Sequence, residues 1–394
     1  MKQIPGGVTA PKGFRAWGVH CGVKSKKADK KDLALILSDQ ECAAAAVYTM
    51  NRVKAAPLYV TMEHLEDGTA WGVAANSGNA NACCPMSHEY AEEMARLAAR
   101  ATGRAPADFV VASTGVIGQT LNIAAIRAGM PAAAGLTAGP EGSDAAARAI
   151  MTTDTVKKEL ALACSIGGRT VTLGAIAKGS GMIHPNMGTM LCFVTTDCAI
   201  TREMLSEALR EVVPRTFNRV TVDGDTSTND MCAVLANGMA GNPLIEWKDD
   251  GYTVFLKALR QLCQELARAI AGDGEGASRL ITCAVREARS EESAERLAKA
   301  VVGSPLVKAA MFGADTNWGR VLCAMGYSKA PFRPEYVDIS FSSAVGAVAV
   351  CRGGMGLDFD EEAARSILSH WMVQASGPLF WNRSCSVPSP SHSS

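Results

Sequence analysis

In the run Lys178-Gly-Ser-Gly-Met-Ile-His-Pro-Asn-Met-Gly188-Thr189-Met-Leu191, a threonine directly follows a glycine, in a stretch too rich in glycine and proline for ordinary helix or strand. With no Cβ, Gly188 can enter strained backbone conformations and leaves its carbonyl open to the neighbouring hydroxyl. An N-to-O acyl shift followed by hydrolysis would then cut the chain between Gly188 and Thr189. The new N-terminal Thr189 would carry both a nucleophilic hydroxyl and, in its α-amine, the base that activates it. The plainer reading is a glycine-rich turn that delivers Thr189 as the first residue of a buried strand.

A hydroxyl that attacks an amide needs preorganised donors for the developing oxyanion. Ser113-Thr114-Gly115-Val116-Ile117-Gly118 is a candidate source, because its glycines admit close approach of backbone N–H groups and Thr114 adds a hydroxyl. Its alternative is a simple turn after the strand Phe109 to Ala112. Lys178, opening the threonine-containing run, offers an ammonium that could hold the α-carboxylate of an amino acid as a point charge; a solvated surface lysine is the ordinary alternative.

Composition narrows the field around these residues. The 394-residue chain is 48% hydrophobic, enough for one large or two ordinary domains with a sizeable core. Lys plus Arg equals Asp plus Glu at 39 each, and no basic run interleaved with aromatics suggests a groove for nucleic acid. The N-terminal residues lack the apolar core of a signal peptide, and an apolar stretch of membrane-spanning length is missing, so a cytoplasmic protein is expected. Thirteen scattered cysteines show no Cys-X-X-Cys spacing, and the six histidines no His-X-His or His-X-X-X-His pair. Reduced core thiols, no metal and no bound cofactor are expected, with neither a P-loop nor a dinucleotide fingerprint in view.

The elements that must position the chemistry are legible in part. Phe255, Leu259, Leu262, Leu266 and Ile270 form one apolar stripe of a helix that stops at Gly272, just before the loop Asp273-Gly-Glu-Gly276. Leu205, Leu209 and Val212 mark a second helix, capped by Thr201 and closed near Pro214; a third starts at Ser304 with Pro305 in its first turn, and His88 to Ala101 reads as a fourth. Strands are expected at Thr170 to Ala177, Met190 to Thr195, Leu280 to Val285, Val337 to Phe341 and Val345 to Val350. Many are apolar on both faces, which predicts an α/β protein with mixed sheets covered on each side.

The string from Lys178 to Thr189 resembles, nearly residue for residue, the cleavage segment of the ornithine acetyltransferase family (glutamate N-acetyltransferase, the bifunctional enzyme of arginine biosynthesis). His184 and Gly188 stand where that family usually has alanine. Gly188 keeps a small residue before the nucleophile, and His184 is read as a tolerated substitution with no assigned role. Further matching strings are Gly6 to Ala16, Asn51 to Ala56, Ala75 to Asn81, Asp223 to Asp230 and Gly313 to Arg320; their asparagines and aspartates are read as structural networks around the site.

The resemblance implies a layered α-β-β-α sandwich, self-cleaved into associated chains of residues 1–188 and 189–370 that share one core, and a heterotetramer as the larger assembly. It implies that Thr189 carries the acetyl group of N-acetylornithine to glutamate as an ester, by ping-pong, with Thr114 and Gly115 as the oxyanion hole. Substrate would be held by Thr152, Lys178, Thr189 and Glu275. In Met151-Thr-Thr-Asp154 the neighbouring Thr153 remains open as the alternative to Thr152, and Glu275, by itself a helix-ending loop residue, would hold the cationic amine of ornithine. Acetyl-coenzyme A as a co-substrate stays open. After about His370 the pattern departs from the family, and residues 371–394, ending Ser386-Val-Pro-Ser-Pro-Ser-His-Ser-Ser394, read as a disordered tail. Two other readings stay open: a self-processing amidase or aminopeptidase of similar architecture, in which water resolves the acyl-enzyme, and a degenerate inactive paralogue, which rests on that tail and its lack of the family's closing asparagine and threonine.

Overall fold

Apolar residues on both faces of a strand require a cover on both faces, and the strands of the first 275 residues have one. The computed structural model describes residues 1–23, 30–184 and 190–378. They fall into two compact units, Met1–Glu275 and the residues from Gly276 onward.

The first unit holds β1 (Lys2–Ile4), β2 (Phe14–Val19), β3 (Leu33–Tyr48), β4 (Thr69–Asn76), β5 (Phe109–Ser113), β6 (Lys158–Ile166), β7 (Arg169–Lys178), β8 (Leu191–Thr196) and β9 (Met231–Ala236). They form one nine-stranded mixed sheet in the order β1-β6-β7-β8-β9-β3-β4-β5, with β2 also on β3. The 16-residue β3 joins the two halves of this path. Its register shifts between Leu37 and Cys42; before the shift it pairs with β2 and β4, and after it chiefly with β9.

Period-two alternation then sorts the side chains into layers. Ile36, Val73, Ala75, Val110 and Ala112 from one half of the sheet share a buried cluster with Ile176, Leu191, Phe193, Met231 and Leu235 from the other, so the sheet turns over and packs on itself. The intervening residues Leu35, Ala74, Phe109 and Val111 face α1 (Ala56–His64), α2 (Ser87–Thr102) and α3 (Ile123–Gly129). On the other half Cys192, Val194, Cys232 and Val234 face outward. After α4 (Pro140–Ala149), which packs on β2 and β3, come α5 (Arg202–Val212) and α6 (Asp250–Gly272), which cover that outer face. The expected α-β-β-α layering is present, its two β layers being halves of a single folded sheet.

Local signals set the helix limits. The Thr201 side chain accepts from the Met204 N–H to start α5, and Asp249 accepts from Tyr252 to start α6, whose stripe Phe255, Leu259, Leu262, Leu266 and Ile270 is buried throughout. Among the described residues, no helix is long and apolar enough to cross a membrane.

The second unit has β10 (Leu280–Arg286), α7 (Glu291–Gly303), α8 (Pro305–Phe312), α9 (Trp318–Gly326), β11 (Ile339–Ser343), β12 (Gly346–Arg352), β13 (Met355–Gly356), α10 (Glu361–Leu368) and β14 (Met372–Pro378). Its five strands run β10-β14-β11-β12-β13 around a core of its own that includes Leu297, Phe341, Val350 and Leu368. Here the expected disordered tail from 371 is corrected. Residues 372–378 are strand, parallel to β10 in the register Leu280↔Met372 and antiparallel to β11. Val373 and Ala375 alternate into the core while Ser340 Oγ donates to the Ser376 carbonyl at 2.9 Å. Serine and glutamine at the intervening positions hid this pattern from a reading by composition. Residues 379–394 lie outside the described residues.

Candidate active site

Thr114 follows β5 directly, and its N–H donates to the Asn76 carbonyl at the end of β4 (3.0 Å). The same asparagine accepts from Ser113 Oγ at 2.6 Å and donates to the Asn79 carbonyl at 3.0 Å, so the turn after β5 is tied to the segment 76–80 by side chain and main chain together. Gly115 sits at φ +137°, and a Cβ there would lie 2.3 Å from the Gly78 carbonyl carbon and 2.5 Å from the Asn79 nitrogen. Only glycine fits. The two candidate oxyanion residues are thus held rigidly, one of them in a conformation and a space that exclude any side chain.

Lys178 is the last residue of β7, and β7 lies on the other half of the folded sheet. Its Nζ nevertheless donates to Thr114 Oγ1 at 3.3 Å, across 64 residues of sequence. Both side chains are buried, which discards the solvated-lysine reading. Burial pushes the Lys178 ammonium below its ordinary range, against the pull of the Asp154, Asp230 and Glu275 carboxyl groups, while Lys158 adds to the depression. Asp230, buried at the start of the β9 segment, is pushed well above the usual carboxylate range by burial, although the Ser227 and Thr49 hydroxyls, the Lys178 charge and the Met190 N–H favour its charged form.

Glu275 follows α6 and is exposed, with its N–H on the Ser180 carbonyl at 3.1 Å. A Cβ on Gly181 would meet Glu275 Oε1 at 2.4 Å, so this glycine lets the carboxylate lie over the chain that leaves Lys178. Thr152 is half-buried and Thr153 exposed. Beneath them runs a charged network that sequence reasoning left unassigned: Asp154, Lys158 and Asp273, with Lys158 Nζ 2.7 Å from Asp154 Oδ1 and 2.6 Å from Asp273 Oδ2. Burial raises the carboxyl groups of Asp154 and Asp273, but the adjacent lysine charges outweigh it and hold both below their usual range. The available signal was the carboxylate two residues after Thr152; nothing in the pattern pointed to Lys158 or Asp273.

Gly188 and Thr189 lie outside the described residues, but both flanks are anchored. Met182, at φ +57°, and Ile183 donate their N–H groups to the two oxygens of Asp223 at 2.6 and 2.9 Å, and Thr226 Oγ1 donates to the His184 carbonyl at 2.8 Å. His184 Nδ1 and Thr221 Oγ1 share a hydrogen bond of 2.9 Å. On the far side the Met190 carbonyl accepts from the Met231 N–H at 2.9 Å, immediately before β8. Asn229 completes the frame by donating to the Ala80 and Ser113 carbonyls at 2.7 and 2.8 Å, which agrees with the structural role read for residues 223–230.

A folded sheet whose two halves bring a tight threonine-glycine turn, a buried ammonium and a carboxylate to the same strand ends is built as an α/β enzyme. Its relatives make that narrower. The ArgJ family model matches residues 15–376, beyond the point near His370 where resemblance was expected to end. The arginine biosynthesis bifunctional protein ArgJ of Symbiobacterium thermophilum is 53% identical over 369 residues, 93% of this chain and 90% of the relative. ArgJ 1 of Clostridium acetobutylicum is 47% identical over 356 residues, 90% and 86% of the two chains. A solved structure of ornithine acetyltransferase complexed with ornithine, from Mycobacterium tuberculosis, is 39% identical, covers 47% of this chain and 98% of that one, and superposes with a TM-score of 0.43. The chain belongs to the ArgJ family.

Proposed function

We propose that this protein is the acetyltransferase of arginine biosynthesis that moves the acetyl group of N-acetylornithine to glutamate through an ester on Thr189, after cutting itself between Gly188 and Thr189. The observation that carries the reading is the contact between Lys178 Nζ and Thr114 Oγ1, which joins the candidate substrate cation to the candidate oxyanion hole in one buried cluster. Attack by the threonine hydroxyl develops negative charge on the acetyl oxygen, which Thr114 Oγ1–H and the Gly115 N–H stabilise. Lys178 holds an α-carboxylate, Thr152 lies alongside, and Glu275 receives the cationic amine. Ornithine leaves, glutamate enters the same subsite, and its amine takes the acetyl group. The enzyme carries the group itself, so the cycle runs without a bound cofactor; acetyl-coenzyme A would enter only as an alternative donor.

Cleavage at Gly188 is compatible with this cycle because β7 and β8, on either side of it, are antiparallel neighbours from Leu173↔Thr196 to Lys178↔Leu191. The fragments 1–188 and 189–394 would stay joined through that ladder, and pairing of two such units would give the heterotetramer. Cytoplasmic location fits a pathway that works on soluble amino acids.

Mass spectrometry of the purified protein and of Thr189→Ala tests the processing step. Two fragments from the first and an intact chain from the second are expected; a wild-type chain that stays whole overturns it. Transfer of labelled acetyl from N-acetylornithine to glutamate tests the reaction. Net release of acetate in its place would mean that water resolves the ester.

A further inference from the structure

The three candidate substrate contacts stand on different segments: Thr152 after α4, Lys178 at the end of β7 and Glu275 after α6. One carboxylate lies beneath the first two. The side chain of Asp154 is fully buried, and each of its hydrogen bonds runs to a part of the site. Oδ2 accepts the Thr152 N–H at 3.1 Å. Oδ1 accepts the Gly179 N–H at 2.7 Å, the peptide that joins Lys178 to the next residue, and also receives Lys158 Nζ at 2.7 Å. Lys158 passes the connection to Asp273 at 2.6 Å, and the Asp273 carbonyl receives Ser180 Oγ at 2.7 Å, whose residue in turn accepts the Glu275 N–H. A carboxylate is the only side chain that can accept three donors here while balancing two buried ammonium groups.

We infer that Asp154 is a positioning residue for substrate: through the Gly179 and Thr152 amides and its charge, it fixes Lys178 where an amino-acid α-carboxylate binds and keeps that lysine cationic. This rests on the transacetylase reading above. Lys178 is faced by Asp154, Asp230 and Glu275, which favour its charge, and by Lys158, which opposes it. Asp230 sits under a strong burial effect that favours its neutral form, so it lends less charge, and Glu275 is exposed. Asp154 is the buried, ionised counter-charge.

The test is steady-state kinetics of Asp154→Asn across pH, with N-acetylornithine and glutamate as substrates. Asparagine keeps the shape and can still accept the Gly179 N–H, but removes the charge. KM for both substrates should rise about tenfold or more, the worth of one charge-assisted interaction, with a smaller change in kcat. The alkaline limb of kcat/KM should move to lower pH, because Lys178 without its counter-charge deprotonates sooner. In a Lys178→Met background, which should itself lose that limb, the same substitution should produce no further change in the alkaline pH profile. Should Asp154→Asn not fold, Asp154→Glu retains the charge but displaces it: a raised KM with the alkaline limb in place is expected. An Asp154→Asn enzyme of lowered stability but native KM and pH profile, or an Asp154→Glu enzyme with native KM, overturns the inference. Failure of the underlying reading is separate, since then the wild-type protein itself would not transfer acetyl groups.

Discussion

Gly115→Ala and Gly118→Ala make a matched pair that measures how much of the proposed oxyanion turn depends on close backbone approach. Both glycines have positive φ, +137° and +78°, so a side chain at either costs roughly 1–3 kcal/mol of backbone strain. Only the first has a neighbour in the way: a Cβ at Gly118 meets nothing within 4 Å, whereas at Gly115 it falls 2.3 Å from Gly78 C, 2.5 Å from Asn79 N and 2.8 Å from Gly78 Cα. Carbon atoms rest at about 3.5–4.0 Å, so the overlap exceeds an ångström, and it is against main chain that cannot swing aside. Relief requires the turn to lift from residues 78–80, which stretches the Ala80 N–H to Val116 carbonyl bond of 2.9 Å. Overpacking of this kind adds about 1–3 kcal/mol, to give roughly 2–6 kcal/mol for Gly115→Ala. Urea denaturation of the two variants should show Gly115→Ala the less stable by that extra term. Acetyl transfer should fall on the order of 100- to 1000-fold for Gly115→Ala, as for loss of one oxyanion donor, and stay near wild type for Gly118→Ala. Equal stability and equal turnover in the pair would refute the reasoning.

Asn229→Ala leaves the buried Ala80 and Ser113 carbonyls without their donor, and should lower stability by about 2–4 kcal/mol in denaturant unfolding with a fall in kcat from the loosened Thr114 turn. Asp154 and Asp273 are held below the usual carboxylate range in the fold, so their contribution is complete above an unfolded carboxyl value of about 3.9 and is lost as pH falls through the folded values. A urea midpoint followed downward in pH should drop across that range, and less steeply in Asp273→Asn. Asp230 works with the opposite sign: the fold keeps it protonated where the unfolded chain ionises, so it weakens stability as pH rises above about 3.9. Asp230→Asn should therefore gain on wild type in the same midpoint measurement as pH increases toward neutrality.

What could be read from the residues alone follows from what each signal depends on. The α6 stripe and the caps at Thr201 and Ser304 are local matters, and each is found where its spacing puts it. Lys178 and Thr114 were candidates through their motifs, but their contact depends on a sheet folding over at the register shift in β3, where the polar run Ser38-Asp39-Gln40-Glu41 interrupts the apolar pattern just as an ordinary loop between two strands would. Asp154 and Asp273 were in view as members of quoted strings and stayed unassigned, because a buried carboxylate is recognisable only by the lysine opposite it, here Lys158. In β14, two inward residues between serine and glutamine were too weak a pattern to outweigh a polar tail.

The ladder between β7 and β8 has a further consequence for a molecule cut at Gly188. β8 is clamped between β7 and β9, so scission opens the covalent connection without opening the structure. Once such a molecule is unfolded, however, its halves must meet by diffusion, and recovery becomes second order in protein, while an uncut variant refolds at a rate independent of dilution. Maturation at this linkage would convert a fold that each chain regains alone into one regained only at the concentration its two pieces reach together.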